Sequence, residues 1–146
     1  MPSIVVGVDG SGHSHRALIR AINEAALHHA PLTVLTVHQA VKGYSGGPVV
    51  YPEDRTETER AREAAQAETD KALAEVGALR PESVTVRAVH GFPAEVLIDA
   101  SRDADMIVLG SRGVGGFGLL LMGSVTSQVT HHAACPVLIV PPEHRG

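Results

Sequence analysis

A glycine-rich stretch in the last third of the chain carries the residue types best suited to chemistry. It runs Gly110-Ser-Arg-Gly113, continues for nine residues, and resumes as Gly123-Ser-Val-Thr126. Glycines let backbone N–H groups approach an oxygen-rich ligand closely, because they carry no Cβ. Arg112 and the hydroxyls of Ser111, Ser124 and Thr126 can add hydrogen bonds. The stretch therefore predicts an anion site, and phosphate is the anion that it suits best.

The flanking sequence predicts a strand before this stretch and a helix after it. Residues 106–109 are a short apolar run, typical of a buried parallel strand. Residues 124–129 read Ser-Val-Thr-Ser-Gln-Val, which is typical of the first turns of a helix with a hydroxyl at its cap. A helix start adds unsatisfied N–H groups and the positive end of a dipole. The order strand, loop, helix thus favours the anion site.

Two familiar phosphate loops fit less well. Residues 113–118 have the spacing of a dinucleotide fingerprint, but no later strand ends in the acidic residue that this motif needs. Residues 118–124 have the glycine spacing of a P-loop, but Ser124 stands where the phosphate-binding lysine belongs. We therefore reject the P-loop and disfavour the dinucleotide fingerprint.

Apolar runs alternate with segments of helical periodicity along the whole chain. This alternation predicts an α/β fold: an open five-stranded parallel sheet of order 3-2-1-4-5, Rossmann-like, with two helices on each face. Ligands bind such sheets at the carboxyl ends of the strands, where the strand order reverses. That position brings Asp9 beside residues 110–123. The predicted strands are 3–8, 32–37, 84–89, 105–109 and 136–140; the predicted helices are 14–29, 56–78, 93–100 and 124–133.

Composition indicates one globular domain, residues 1–146, with a flexible loop at about 39–55. Apolar residues make up 44% of the chain and charged residues 19%, as in ordinary soluble proteins. The net charge of −4 argues against nucleic acid or an anionic membrane as a partner. No apolar run is long enough to span a bilayer, and no basic leader precedes the first strand. A cytoplasmic protein is expected.

Over nearly its whole length, the sequence resembles the ATP-binding branch of the universal stress protein family. The resemblance is carried by the Gly-x-x-Gly loop, the nine-residue spacer and the Gly-Ser-Val-Thr that opens the last helix. It extends to the first strand with its acidic end, 4–11, to Gly91-Phe-Pro-Ala94, to the run 104–113, and to the final Ala-Cys-Pro-Val-Leu-Ile-Val of 134–140.

The resemblance implies a homodimeric ATP-binding protein, a nucleotide-dependent stress-response regulator or sensor rather than a fast catalyst. Phosphates and ribose would lie on the glycine loop and the start of the last helix. Adenine would lie between Val37 and Leu109 and be oriented by Asp9, and Mg²⁺ would accompany the ATP, near Asp9. No catalytic residue and no metal site made by protein alone is expected. The candidate nucleotide-binding residues are Gly7, Val8, Asp9, Ser11, Val37, Leu109, Gly110, Arg112, Gly113, Gly123, Ser124, Val125 and Thr126.

Several alternatives remain open at this stage. Asp9 has a structural interpretation, the capping of the turn that follows it. The function could also be that of a nucleotide-independent dimerisation module, a slow ATP hydrolase, an enzyme that activates a substrate with ATP, or a flavin carrier. The nine histidines show no zinc-site spacing, no nucleophile elbow is present, and Cys135 is expected to be a buried structural thiol. The apolar last strand, Pro136–Val140, is expected to be an edge that pairs with a second copy.

Overall fold

The predicted elements are all present in the computed structural model, which describes residues 3–39, 55–111 and 123–142. Their ends differ from prediction by at most two residues. Of the loop predicted at about 39–55, residues 40–54 lie outside the described residues. The elements are β1 (Ile4–Val8), α1 (Gly12–Leu27), β2 (Pro31–Gln39), α2 (Arg55–Val76), β3 (Ser83–Gly91), α3 (Pro93–Ala100), β4 (Met106–Gly110), α4 (Ser124–His132) and β5 (Val137–Val140).

The strands form one parallel sheet in the order β3-β2-β1-β4-β5, which confirms the predicted fold class. The central strand is β1, and the order reverses between β1 and β4. The register places Val8 level with Thr36 and Val6 level with Val108. The carboxyl ends of the three central strands therefore meet at one edge of the sheet, where a ligand is expected.

Two helices cover each face of the sheet, and the side chains of β1 alternate between the two layers. Ile4, Val6 and Val8 pack in the cluster that includes α1 and α2, whereas Val5 packs in the cluster that includes α3 and α4. Both clusters consist of aliphatic side chains, as the scarcity of aromatic residues requires. Burial of both faces in this way is typical of parallel sheets.

Candidate nucleotide-binding site

The turn from β1 to α1 is held by its own side chains. The Asp9 carboxylate accepts a hydrogen bond of 3.0 Å from the Ser11 backbone N–H, and Ser11 Oγ caps α1 by accepting from Ser14 N–H at 3.1 Å. The Asp9 N–H donates to Ser14 Oγ at 3.2 Å. Gly10 between them has φ of +82°, a conformation that glycine adopts without strain. The structural interpretation of Asp9 is therefore observed, and its side chain remains exposed.

Ser14 is a part of this turn that the sequence analysis missed. Its side chain is buried, and its hydroxyl donates to the Ser11 carbonyl at 3.1 Å while accepting from Asp9 N–H. No local pattern indicates this role, because it depends on hydrogen bonds that form only in the folded turn. Through Ser14, the orientation of Asp9 is fixed by the start of α1.

The end of β4 and the start of α4 are hydrogen-bonded to each other. Gly123 N–H donates to the Ser111 carbonyl at 2.6 Å, and Ser111 N–H donates to the Val140 carbonyl at 3.0 Å. The hydroxyl of Thr126, which is buried, donates to the Gly110 carbonyl at 2.8 Å. The two ends of the glycine-rich stretch thus converge, and Thr126 fixes α4 against the strand. Arg112 and Gly113, two of the predicted site residues, lie outside the described residues.

The N-terminus of α4 has no side-chain cap. The prediction of a hydroxyl at this cap was wrong: the N-cap residue is Gly123, in an extended conformation, and no side chain of the described residues caps the helix there. The first intrahelical hydrogen bond to this end is from Ser127 N–H to the Gly123 carbonyl, at 2.9 Å. The N–H groups of Ser124 and Val125 precede that bond and have no carbonyl within the helix to accept them. They are suited to an anion.

Ser111 adds a hydroxyl at the same place. Its side chain is 5% exposed, and its Oγ has no hydrogen-bond partner among the described residues. A buried hydroxyl without a partner costs about 1–3 kcal/mol, so such groups are rare unless a ligand or water satisfies them. The Ser111 hydroxyl is therefore able to donate a hydrogen bond to a polar ligand atom.

Close packing explains why a glycine stands near the end of β1. A Cβ on Gly7 would lie 2.8 Å from Leu109 Cδ2 and 3.3 Å from Leu97 Cδ2. Leu109 is buried, and Val37, at the matching end of β2, is half-buried. Leu109 and Leu97 pack in the layer that includes α3 and α4, whereas Val8 packs in the opposite layer. The structure thus places the described candidate residues on β1, its following turn, β2, β4 and α4, all at the carboxyl edge.

Cys135 precedes β5 and is half-buried, so the prediction of a buried thiol was right only in part. Its Sγ–H donates to the Pro136 carbonyl at 3.4 Å. Partial burial raises the pKa of the Cys135 thiol above its usual range, because the thiolate loses solvation. A nucleophile needs the opposite shift, so the environment of Cys135 suits a structural residue.

Two further findings concern metal sites and membrane-spanning helices. Within the described ranges, no group of three or more histidine, cysteine, aspartate or glutamate side chains is arranged to hold a metal ion. None of the helices in the same ranges combines the length and the apolar character needed to cross a membrane.

A sequence model of the universal stress protein family matches residues 1–141. This chain belongs to that family. A universal stress protein of Thermus aquaticus is 37% identical over 140 residues, covering 94% of this chain and 97% of the relative. A universal stress protein of Mycolicibacterium smegmatis is 35% identical over 139 residues, which are 94% of this chain and 47% of the relative. This chain thus spans about half the length of that Mycolicibacterium relative.

Solved universal stress proteins share the fold. The UspA protein of Lactobacillus plantarum superposes with a TM-score of 0.68 at 26% identity, covering 95% of this chain and 97% of its own. A universal stress protein crystallised with cAMP gives 0.66 at 27% identity and covers 96% of each chain. The Archaeoglobus fulgidus protein in complex with dAMP gives 0.62 at 26% identity, with 95% and 97% coverage. Nucleotide binding thus occurs among the structural relatives of this universal stress protein.

Proposed function

We propose that this universal stress protein binds ATP at the carboxyl edge of its sheet and acts as a nucleotide-dependent regulator of a stress response. In this proposal it is a cytoplasmic homodimer that senses nucleotide rather than a fast catalyst. The complexes of two relatives with cAMP and dAMP support an adenine nucleotide as the ligand class. ATP in particular is proposed from the resemblance of the glycine-rich stretch to the ATP-binding branch.

The observation that carries the proposal is the junction of β4 with α4. Gly123 N–H bonded to the Ser111 carbonyl brings uncapped helix N–H groups next to a buried serine hydroxyl that lacks a partner. Phosphate oxygens accept hydrogen bonds from both kinds of donor. The Thr126 hydroxyl already donates to the Gly110 carbonyl. In this proposal Thr126 therefore positions α4 through its side chain and donates to the phosphate through its backbone N–H group.

The apolar part of the site suits a purine. Leu109 and Val37 lie at the ends of strands on either side of β1, and aliphatic side chains of this kind bury the faces of a base. Asp9 and Ser11 at the end of β1 offer oxygen atoms, the donors that Mg²⁺ prefers. Asp9 would therefore accompany a nucleotide-bound Mg²⁺ or orient the nucleotide, and the phosphates would lie on α4.

Substitution of Ser111 tests the proposal because it separates binding from folding. Ser111→Ala removes a buried hydroxyl that has no described partner, so the melting temperature should stay the same or rise. Affinity for MgATP should fall by about 1–3 kcal/mol, or roughly 5- to 150-fold, since a hydrogen bond to a charged phosphate is lost. Isothermal titration calorimetry with MgATP, AMP and cAMP, run beside thermal melts, measures both quantities.

The outcome also separates the alternative functions. A parent protein that is folded but binds none of the three nucleotides would favour the nucleotide-independent dimerisation module. Binding of MgATP followed by release of inorganic phosphate over hours would favour the slow hydrolase. If the parent and Ser111→Ala bind MgATP with equal affinity, the proposed position of the phosphates at the junction of β4 with α4 is wrong.

The free edge of β5 supports the proposed homodimer and the dimerisation alternative. Residues 136 and 140 turn their carbonyl groups to β4, where they accept from Ile107 and Ser111 N–H at 3.0 Å each. Backbone groups alternate in direction along a strand, so those of Val137 and Ile139 point away from β4. In the part of the chain that the structure describes, no strand pairs with that edge. A second β5 related by a twofold axis would pair with it, so that neither copy would keep an open β5 edge.

A further inference from the structure

Two histidines far apart in the sequence are neighbours at the carboxyl edge of the sheet. His38 of β2 pairs in register with His90 of β3, so the two side chains lie on the same face. Their ring centroids are 5.3 Å apart and the ring planes are inclined by 34°. The histidine spacing along the chain gave no indication of this pair, since it arises only when β2 and β3 pair.

One nitrogen of the pair lacks a hydrogen bond. His90 Nδ1 is buried and has no hydrogen-bond partner among the described residues. In a structural histidine, one ring nitrogen usually donates to a carbonyl or carboxylate, which fixes the tautomer. Both rings are half-buried, so neither is simply a solvated surface side chain.

The separation of the rings matches the geometry of two imidazoles bound to one metal ion. Nitrogen–metal distances of about 2.0–2.1 Å place each ring centre about 3 Å from the ion, and a tetrahedral angle then separates the ring centres by about 5 Å. We propose that His38 and His90 form a two-imidazole site for a borderline divalent transition metal, of which Zn²⁺ and Ni²⁺ are the examples to test. The juxtaposition of the rings and the unpartnered Nδ1 carry this proposal.

The composition of the pair restricts the metal. Imidazole nitrogen suits Zn²⁺, Ni²⁺ and Cu²⁺, whereas Mg²⁺ and Ca²⁺ require oxygen ligands. Among the described residues no third side chain joins the two histidines in a metal-binding group. The described residues thus supply two imidazole ligands, and in this proposal water or an anionic ligand completes the coordination.

Metal titration of the full, tag-free chain tests the proposal. We expect ZnCl₂ and NiCl₂ to bind with one ion per chain by calorimetry, and MgCl₂ to give no heat at the same concentrations. His38→Ala and His90→Ala should each weaken Zn²⁺ binding at least about tenfold, because each removes a direct ligand. Substitution of both His131 and His132 is the matched control, because that exposed pair has ring centroids 6.3 Å apart.

Several results would overturn the proposal: no Zn²⁺ binding by the parent protein, unchanged affinity in the His38 variant, or an equal loss in the control. If His90→Ala does not fold, His90→Gln replaces it, with folding checked by thermal melting. Nitrogen-15 spectra of the parent provide a second readout, since Zn²⁺ should shift ring-nitrogen resonances of both His38 and His90. None of these measurements uses nucleotide, so they test the metal site independently of ATP binding.

Discussion

The Thr126 hydroxyl donates a hydrogen bond of 2.8 Å to the Gly110 carbonyl, and both residues are buried. The bond joins the first turn of α4 to the last residue of β4. Gly110 is also level with Val140 in the sheet. The position of the α4 N-terminus relative to the strands therefore depends in part on one side-chain hydroxyl.

Thr126→Val should destabilise the protein by about 1–3 kcal/mol, because it removes the donor and leaves the buried Gly110 carbonyl without it. Nucleotide affinity should fall as well, since the helix N-terminus is no longer fixed. Thr126→Ser keeps the hydroxyl and is the matched control. Urea denaturation measures the free energy of unfolding, and a Val variant as stable as the Ser variant would contradict the assigned role.

The fold could be predicted because the periodicity of each segment and the order of the segments along the chain indicate the same architecture. The apolar runs that became β1, β2 and β4 are separated by helical periods, and only a parallel sheet accommodates that order. The carboxyl-edge position of Asp9 followed from the same rule. The helix start at residue 124 was predicted correctly, because its apolar and hydroxyl pattern is local.

The finer geometry of the site could not be predicted, because it depends on contacts between distant residues. The cap of α4 is Gly123 rather than a hydroxyl, and Ser111 is buried although it follows the end of β4. The pairing of His38 with His90 depends on the register of β2 with β3, which no local pattern fixes. Sequence periodicity indicates which face a residue occupies, but not which partner lies across the strand pair.

Gly7→Ala should destabilise the protein by about 1–3 kcal/mol through overpacking, because the new Cβ would lie 2.8 Å from Leu109 Cδ2. Leu109→Val removes that terminal methyl group. The double variant should therefore lose less stability than the sum of the two single variants. Chemical denaturation of all four proteins completes a double-mutant cycle, and strict additivity would show that Leu109 moves aside without cost.

Cys135 should react slowly with iodoacetamide in the native protein. Its pKa is raised by burial, so the reactive thiolate is scarcer at neutral pH than in a free cysteine, and the rate should still be rising with pH above the usual thiol range. Mass spectrometry of the intact protein over a pH series measures the rate, with the urea-unfolded protein as the reference. A native rate equal to the unfolded rate at pH 7 would contradict the shift.

The proposed dimer should depend on the outward backbone groups of β5. Ile139→Pro removes an N–H group that points away from β4, while leaving the inward bond between Ser111 and Val140 intact. Ile139→Ala is the control, because it also loses the packing of Ile139 against the α3 and α4 layer but keeps the N–H. We expect the Pro variant to sediment as a monomer at micromolar concentration and the Ala variant as a dimer. A dimeric Pro variant, or a monomeric parent protein, would rule out pairing through this edge.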